Sequence, residues 1–208
     1  MKVLAISKEA IAEALQVLKQ GGVVAHATET CYGLACDLTN PQAVQRLFVL
    51  KQRLLNQPVS ALFPSIDEAK RYVEWNERAK ELARKFLPGP LTLILLSRRE
   101  TPHTLFPIPE GAATVGVRVS SHPIAQKLAQ CFGKPLSTTS ANIHGKPPPY
   151  STEEILSQLS PDLVLDSGPL PEAPPSTVVD LTKGSQKILR QGPLHLSTVR
   201  SARALPAL

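Results

Sequence analysis

The chain has 208 residues, a mass of 22.5 kDa and 42% apolar side chains, which suffice for one globular domain with its own core. No apolar run approaches the ~20 residues of a membrane span, and the apolar stretch Val3–Ile6 is too short for a signal peptide, so we expect a cytoplasmic protein without membrane contact. The net charge is +6, and residues 1–136 carry all of it, with 17 basic and 11 acidic side chains. Such a surface suits an anionic partner such as a nucleotide or RNA, although a solvated surface without a partner explains it equally well.

Apolar periodicity and helix-cap residues predict the elements of the first half of the chain. They are a helix within residues 1–20 capped by Ser7, a buried strand at 23–27, a hydroxyl-rich loop at 28–33, a helix that begins at Asn40-Pro41 and ends near 51–53, a strand at 59–63, and helices that begin after Ser65 and Asn76.

The second half follows the same signals. It contains strands at 91–96 and 115–119, a helix at 123–132, a short strand at 136–138, a proline-rich irregular stretch at 147–175 interrupted by a helix capped by Ser151, late strands at 178–181 and 187–189, and a weakly helical tail from 197. Intermixed helices and strands predict an α/β or α+β fold with a twisted, mixed sheet flanked by helices. We predict a single domain over residues 1–208, with its core at about 7–194 and a short tail at 195–208.

Familiar catalytic and metal-binding motifs are absent from the sequence: it contains no HExxH, no CxxC, no standard phosphate-binding loop and no GxSxG elbow. Cys31 and Cys36 are predicted to be buried thiols, because an odd count of three cysteines without an export signal argues against disulfides. The five histidines, at positions 26, 103, 122, 144 and 195, have no metal-ligand spacing and are interpreted as structural or exposed.

Cationic and hydroxyl-rich loops are the remaining candidates for chemistry. Lys51 and Arg53 leave a helix two residues apart and could clamp a polyphosphate from the same side, or could simply complement the helix dipole. Residues 137–142 offer five hydrogen-bonding side chains after a strand, and the alternative there is an ordinary turn. Arg118 lies within an apolar strand and must reach solvent, an acid or a ligand carboxylate.

Seven segments, taken in order, resemble the YrdC-like family of threonylcarbamoyl-adenylate synthases. They are residues 21–34, 51–53, 88–92, 117–119 with 122–125, 137–142, 175–180 and 189–192. The resemblance covers nearly the whole chain, from about residue 7 to residue 194, and the chain resembles the short form that lacks the family's extra C-terminal domain. The resemblance implies a twisted mixed sheet around a positively charged cavity.

The resemblance also implies an activity and its substrates. ATP, L-threonine and bicarbonate or carbon dioxide would be joined into threonylcarbamoyl-AMP with release of pyrophosphate, by a nucleotidyltransferase. A separate transferase complex would then use the product to form threonylcarbamoyladenosine in tRNA. Mg²⁺ is expected to enter with ATP, because no carboxylate cluster in the sequence indicates a dedicated metal site.

The site residues are carried over position by position. The resemblance places ATP against Lys51, Arg53, Thr114, Ser140, Asn142 and Arg190, with Lys51 and Arg53 in the catalytic role. It places L-threonine against Thr30, Arg118, Thr138 and Ser176. Electrostatics support these assignments, since two anions have to be brought together and held in line. The sequence does not indicate which group accepts the proton of the threonine amine.

Three departures from the family pattern lie in these loops. His26-Ala27 replaces an aromatic-proline pair, Leu54 replaces a proline, and Pro175 stands where some members have glutamate. Two alternatives therefore stay open: an RNA-binding module for tRNA, ribosomal RNA or double-stranded RNA, and an inactive nucleotide-binding paralogue. Only one Trp, three Tyr and five Phe are available for base stacking, which argues against the RNA-binding module.

Overall fold

The computed structural model describes residues 1–54, 59–98, 114–183 and 185–196. Its elements are, in chain order, β1 (Lys2–Ala5), α1 (Lys8–Lys19), β2 (Val24–Ala27), β3 (Tyr32–Ala35), α2 (Pro41–Leu50), β4 (Ser60–Leu62), α3 (Ile66–Ala69), α4 (Glu77–Phe86), β5 (Leu91–Leu96), β6 (Thr114–Arg118), α5 (Pro123–Phe132), β7 (Leu136–Ser137), β8 (Thr139–Ser140), α6 (Thr152–Leu156), β9 (Leu163–Asp166), β10 (Thr177–Asp180) and β11 (Lys187–Arg190).

The strands form two sheets, each of which mixes parallel and antiparallel pairs. The first has the order β1-β9-β2-β3-β8 and the second the order β11-β10-β5-β6-β4-β7. In the first sheet β9 runs parallel to β1 and β2, whereas β3 is antiparallel to β2 and β8. The predicted α/β class with mixed sheets and flanking helices is confirmed, with the strands divided between two sheets.

The helices begin where their cap residues predict. Side-chain oxygens of the residues before α1, α2, α3, α4 and α6 accept hydrogen bonds from backbone N–H groups of the first turn; these residues are Ser7, Asn40, Ser65, Asn76 and Ser151. The longest helix in the described ranges, α1, has 12 residues. None of the described helices is long and apolar enough to cross a lipid bilayer.

Three strands lie where the sequence predicts other structure. Residues Lys2–Ala5 form β1 instead of the first turns of a helix, β3 extends from the end of the predicted loop, and β9 lies inside the proline-rich stretch. Each has only four residues, too few for a clear period. Each also pairs with a strand far away in the sequence: β1 with β9, β9 with β2, and β3 with β8 in addition to its neighbour β2. Because β1 pairs with β9, the folded structure begins at residue 2, before the predicted start of the core at residue 7. The predicted helical tail, from residue 197, lies outside the described residues.

Ser137 connects the two sheets. It belongs to β7 of the second sheet, and its buried hydroxyl accepts a hydrogen bond from Cys36 N at 2.8 Å and donates one to Leu34 O, in β3 of the first sheet, at 3.0 Å. The backbone N–H of Ser137 also donates to Cys36 O at 2.9 Å. One hydroxyl therefore satisfies two buried backbone groups at the point where the sheets meet.

We expect Ser137→Ala to lower the free energy of unfolding by about 1–3 kcal/mol, because it leaves a buried N–H and a buried carbonyl without their partner. Denaturant unfolding of the purified variant measures this loss. The exposed Ser160 is the matched control, and Ser160→Ala should change the free energy of unfolding by less than about 0.5 kcal/mol. Equal stabilities for the two variants would contradict this role of Ser137.

Candidate active site

A polar cavity of about 180 Å³ is lined by residues from both sheets. The first sheet and its loops contribute Thr30, Gly33 and Ser140, and the second contributes Ser60, Thr92, Arg118 and Arg190. Seven of the ten residues assigned through the resemblance line it: Thr30, Arg53, Arg118, Thr138, Ser140, Ser176 and Arg190. Residues up to 160 positions apart in the sequence, Thr30 and Arg190, are thus brought to one place.

Three arginines give the cavity its charge. Arg53, Arg118 and Arg190 all line it, and among the described residues no aspartate or glutamate does. Burial lowers the pKa of the Arg53 guanidinium. Burial, and then the nearby charge of Arg118, lowers the pKa of the Arg190 guanidinium. Both groups stay protonated at neutral pH, so the cavity is an anion-binding site by charge.

Hydrogen bonds join Arg190, the last residue of β11, to Ser176, the residue before β10. Arg190 donates from Nε to Ser176 O at 2.9 Å and from Nη2 to Ser176 Oγ at 3.1 Å. Thr92 Oγ1 lies 2.8 Å from Ser176 Oγ. The chain after Arg190 passes so close to the 175–177 backbone that a Cβ on Gly192 would lie 2.2 Å from Pro175 O. Glycine at position 192 is therefore a steric requirement of this wall of the cavity.

Lys51 does not line the cavity, although Ser140 beside it does. Its side chain is buried, and Nζ donates to Ser140 O, to Asn142 O at 2.7 Å and to Asn142 Oδ1 at 3.2 Å. Burial, and then the charge of Arg53, lowers the pKa of Lys51 to about 8. Its three N–H donors hold the loop that carries Ser140 and Asn142.

The end of α2 explains why Lys51 and Arg53 separate. Gln52 has a left-handed φ of 51°, Arg53 N donates to Phe48 O at 2.9 Å, and Gln52 N donates to Val49 O at 3.0 Å. This pattern is a Schellman ending, which reverses the chain direction after the helix. Lys51 consequently bonds the 140–142 loop while Arg53 lines the cavity, so the clamp from one side, one of the two alternatives that the spacing left open, is not the arrangement found.

The 28–31 turn is organised by a threonine. Thr28 Oγ1 donates to Cys31 O at 2.7 Å and accepts from Thr30 N at 3.2 Å. The hydroxyl oxygens of Thr28 and Thr30 lie 3.0 Å apart. Thr28 and Cys31 both line the cavity, and burial raises the pKa of the Cys31 thiol. The hydroxyl-rich composition of this loop indicated the site, but it did not indicate which hydroxyls shape the turn and which face the cavity.

Two assigned residues, besides Lys51, lie outside the lining. Asn142 is buried, and its Oδ1 accepts a hydrogen bond from the Ser140 hydroxyl at 2.6 Å. Thr114 begins β6, four residues before Arg118, so the strand places their backbones about 13 Å apart. The structure therefore gathers the assigned set except for Thr114.

Several cavity residues were not assigned from the sequence. Thr92 carries a hydroxyl within the otherwise apolar strand β5 and lines the cavity. Its place in the 88–92 segment of the resemblance is the sequence signal that could have identified it as a site residue. Glu29 does not line the cavity but pairs with Arg118, at 2.6 Å between Oε1 and Nη2. Of the three alternatives that the sequence left open for Arg118, the structure shows the pairing with an acid. No group of three or more His, Cys, Asp or Glu residues in the described ranges could hold a metal ion.

Comparison with known proteins places this site in a family. The sequence model of the Sua5/YciO/YrdC family, described as "Telomere recombination", matches residues 16–192. The chain is 36% identical over 185 residues to the threonylcarbamoyl-AMP synthase of Vibrio campbellii, covering 86% of this chain and 97% of that one. It is 34% identical over 192 residues to the protein of the same name from Klebsiella pneumoniae, covering 90% and 98%.

Solved structures agree with the sequence matches. Pyrococcus abyssi Sua5 complexed with L-threonine superposes with a TM-score of 0.85 at 33% identity, over 93% of this chain and 58% of that longer one. Escherichia coli YciO superposes with a TM-score of 0.81 at 29% identity, over 92% and 95%. The chain thus spans less than two thirds of the Pyrococcus protein but nearly all of its bacterial relatives. The family model matches residues 16–192 and the Vibrio and Klebsiella relatives are more than 30% identical over nearly their whole length, so the chain belongs to the Sua5/YciO/YrdC family.

Proposed function

We propose that this chain is an L-threonylcarbamoyladenylate synthase, a nucleotidyltransferase that converts L-threonine, bicarbonate or carbon dioxide, and ATP into threonylcarbamoyl-AMP and pyrophosphate. The observation that carries the proposal is the cavity itself, in which three arginines and several hydroxyls converge without a lining carboxylate among the described residues. The names of the curated relatives and the L-threonine complex of Pyrococcus abyssi Sua5 support it. The product would supply threonylcarbamoyladenosine formation in tRNA through a separate transferase complex.

The two substrates are assigned to two sets of residues in this proposal. ATP is bound by Arg53, Ser140, Asn142 and Arg190, and L-threonine by Thr30, Arg118, Thr138 and Ser176. Arg118 supplies a planar fork for the amino acid carboxylate, whereas Arg53 and Arg190 neutralise the phosphates. The assignment of Thr114 to ATP binding rests on the resemblance alone, because Thr114 lies at the far end of β6 from Arg118 and does not line the cavity.

The chemistry requires attack of a carbamate oxygen on the α-phosphorus of ATP, with pyrophosphate leaving. Both reactants are anions, so positioning and charge neutralisation by the arginines lower the barrier without covalent participation of the protein. Mg²⁺ would enter on the phosphate oxygens, since the described cavity offers neutral hydroxyls rather than carboxylates to a metal ion. Lys51 contributes as a positioning residue by holding the Ser140–Asn142 loop.

Domain organisation and location complete the proposal. We propose one domain for residues 1–208 and a cytoplasmic location, where ATP and tRNA are both present. Pairing of β1 with β9, more than 150 residues later in the sequence, supports a single domain because it joins the first described residues to a strand late in the chain within one sheet. Direct tRNA or double-stranded RNA contact is a second candidate, favoured by the basic excess in residues 1–136.

Pyrophosphate release by the purified protein tests the activity. We expect release from ATP only when L-threonine and bicarbonate are both present. ATP binding without release would favour the inactive paralogue. Absence of ATP binding, together with RNA affinity that falls steeply with salt, would favour the RNA-binding module.

Single arginine variants should separate the two substrates. Arg118→Ala should raise the KM for L-threonine by about 100-fold and change the KM for ATP by less than about threefold, because a charge-assisted pair is worth several kcal/mol. Arg53→Ala should have the opposite pattern. Steady-state kinetics measures both, with the exposed Arg46→Ala as the control that leaves both constants unchanged. Equal effects of Arg118→Ala and Arg53→Ala on both substrates would contradict the assignment.

The activity should fall on the alkaline side with a midpoint near pH 8. The pKa of Lys51 is about 8, and the neutral amine has only two N–H donors for its three acceptors, so deprotonation loosens the Ser140–Asn142 loop. A pH profile of kcat/KM for ATP measures this. The arginine of Lys51→Arg stays charged around pH 8, so the pH profile of this variant should lack the alkaline fall, even if its activity is lower than that of the wild type. A limb that stays near pH 8 in Lys51→Arg would belong to another group.

A further inference from the structure

Glu29 holds Arg118 through a nearly buried ion pair. Arg118 Nη2 donates to Glu29 Oε1 at 2.6 Å, and the two side chains are only 6% and 15% exposed. Arg118 lines the cavity and Glu29 does not. The carboxylate is thus placed to act on a ligand through the arginine rather than by contact.

The second oxygen of Glu29 is fixed as well. Glu29 Oε2 accepts a hydrogen bond from the Ser120 hydroxyl, and Ser120 Oγ accepts one from His122 N at 3.1 Å. Gln126 Nε2 donates to Ser120 O at 2.6 Å, which ties Ser120 to helix α5. Both carboxylate oxygens are therefore committed, and the carboxylate is anchored to the first turns of a helix that packs outside the cavity.

Arg118 keeps hydrogen-bonding capacity after this pairing. Its Nε is buried and has no hydrogen-bond partner within the described part of the chain. An arginine has a long side chain with several rotamers, and fixing one nitrogen orients the whole planar guanidinium. The ion pair with Glu29 thereby restricts the orientation of the fork, and in that orientation Arg118 lines the cavity.

We propose that Glu29 is the positioning residue for amino acid recognition: it fixes the Arg118 guanidinium in the orientation that receives the carboxylate of the substrate. This inference rests on the proposed function, in which Arg118 binds the carboxylate of L-threonine. Glu29 also places a negative charge beside Arg118, which offsets the repulsion between Arg118 and the neighbouring Arg190.

Two variants at position 29 separate orientation from charge. Glu29→Ala removes both carboxylate oxygens, whereas Glu29→Gln keeps the length of the side chain and an oxygen that accepts from Arg118 Nη2. We expect Glu29→Ala to raise the KM for L-threonine at least tenfold and the KM for ATP less than threefold. Glu29→Gln should restore the KM for L-threonine to within about threefold of the wild type. Glu77→Ala, which removes an exposed carboxylate, is the matched control and should leave both constants unchanged.

A second readout depends on the carboxylate of the substrate. Wild-type protein should prefer L-threonine to L-threoninamide, and Glu29→Ala should reduce that preference at least tenfold. Loss of packing alone would lower turnover of both compounds together and leave the ratio unchanged. Ser120→Ala, which frees only Oε2, should reduce the preference about threefold, and it serves as the deciding variant if Glu29→Ala does not fold.

The outcomes distinguish this inference from the proposed function. Wild-type protein without threonine-dependent pyrophosphate release overturns the proposed function, and the inference with it. Wild-type release combined with an unchanged L-threonine KM and an unchanged preference in Glu29→Ala overturns the inference alone. Equal impairment in Glu29→Gln and Glu29→Ala, with both variants folded, also overturns it, because charge and not orientation would then be the contribution of Glu29.

Discussion

Repulsion between Arg118 and Arg190, which line the cavity together with Arg53, is the physical constraint on which the cavity depends. Three guanidinium groups share a space of about 180 Å³, and like charges in a partly buried site oppose one another. The surrounding structure supplies acceptors: Glu29 pairs with Arg118, and the carbonyl and hydroxyl of Ser176 bond Arg190. Because the lining itself is neutral or cationic, the remaining positive field is available to an anionic ligand.

These acceptors reach the arginines by two different routes. Arg190 pairs with Val178 in the antiparallel β10–β11 pair, and Ser176 lies one residue before β10, so local structure brings Arg190 and Ser176 together. Glu29 and Arg118 are 89 residues apart and belong to different sheets or to the loops beside them. Their pairing therefore depends on the contact between the sheets, which the hydroxyl of Ser137 stabilises by bonding Cys36 N and Leu34 O.

Lys51 illustrates the limit of a spacing argument. The sequence identified Lys51 and Arg53 as a pair, but only Arg53 lines the cavity. The left-handed φ of Gln52 and the Schellman ending then direct them to different partners. Lys51 is buried among oxygens of residues 140–142, where its ammonium group has a structural task, and Arg53 alone is left to face a ligand.

The sequence by itself determined most elements, their caps and the segments that carry polar side chains, because helix capping and strand periodicity are local properties. Ordered segments that resemble one family also indicated ten site residues, and seven of those ten line the cavity. Only the tertiary structure decided the strands β1, β3 and β9, the division into two sheets and the pairing of Glu29 with Arg118. Those features depend on contacts between residues far apart in the chain, and the free energy of such contacts comes from burial and hydrogen bonding that no short segment contains.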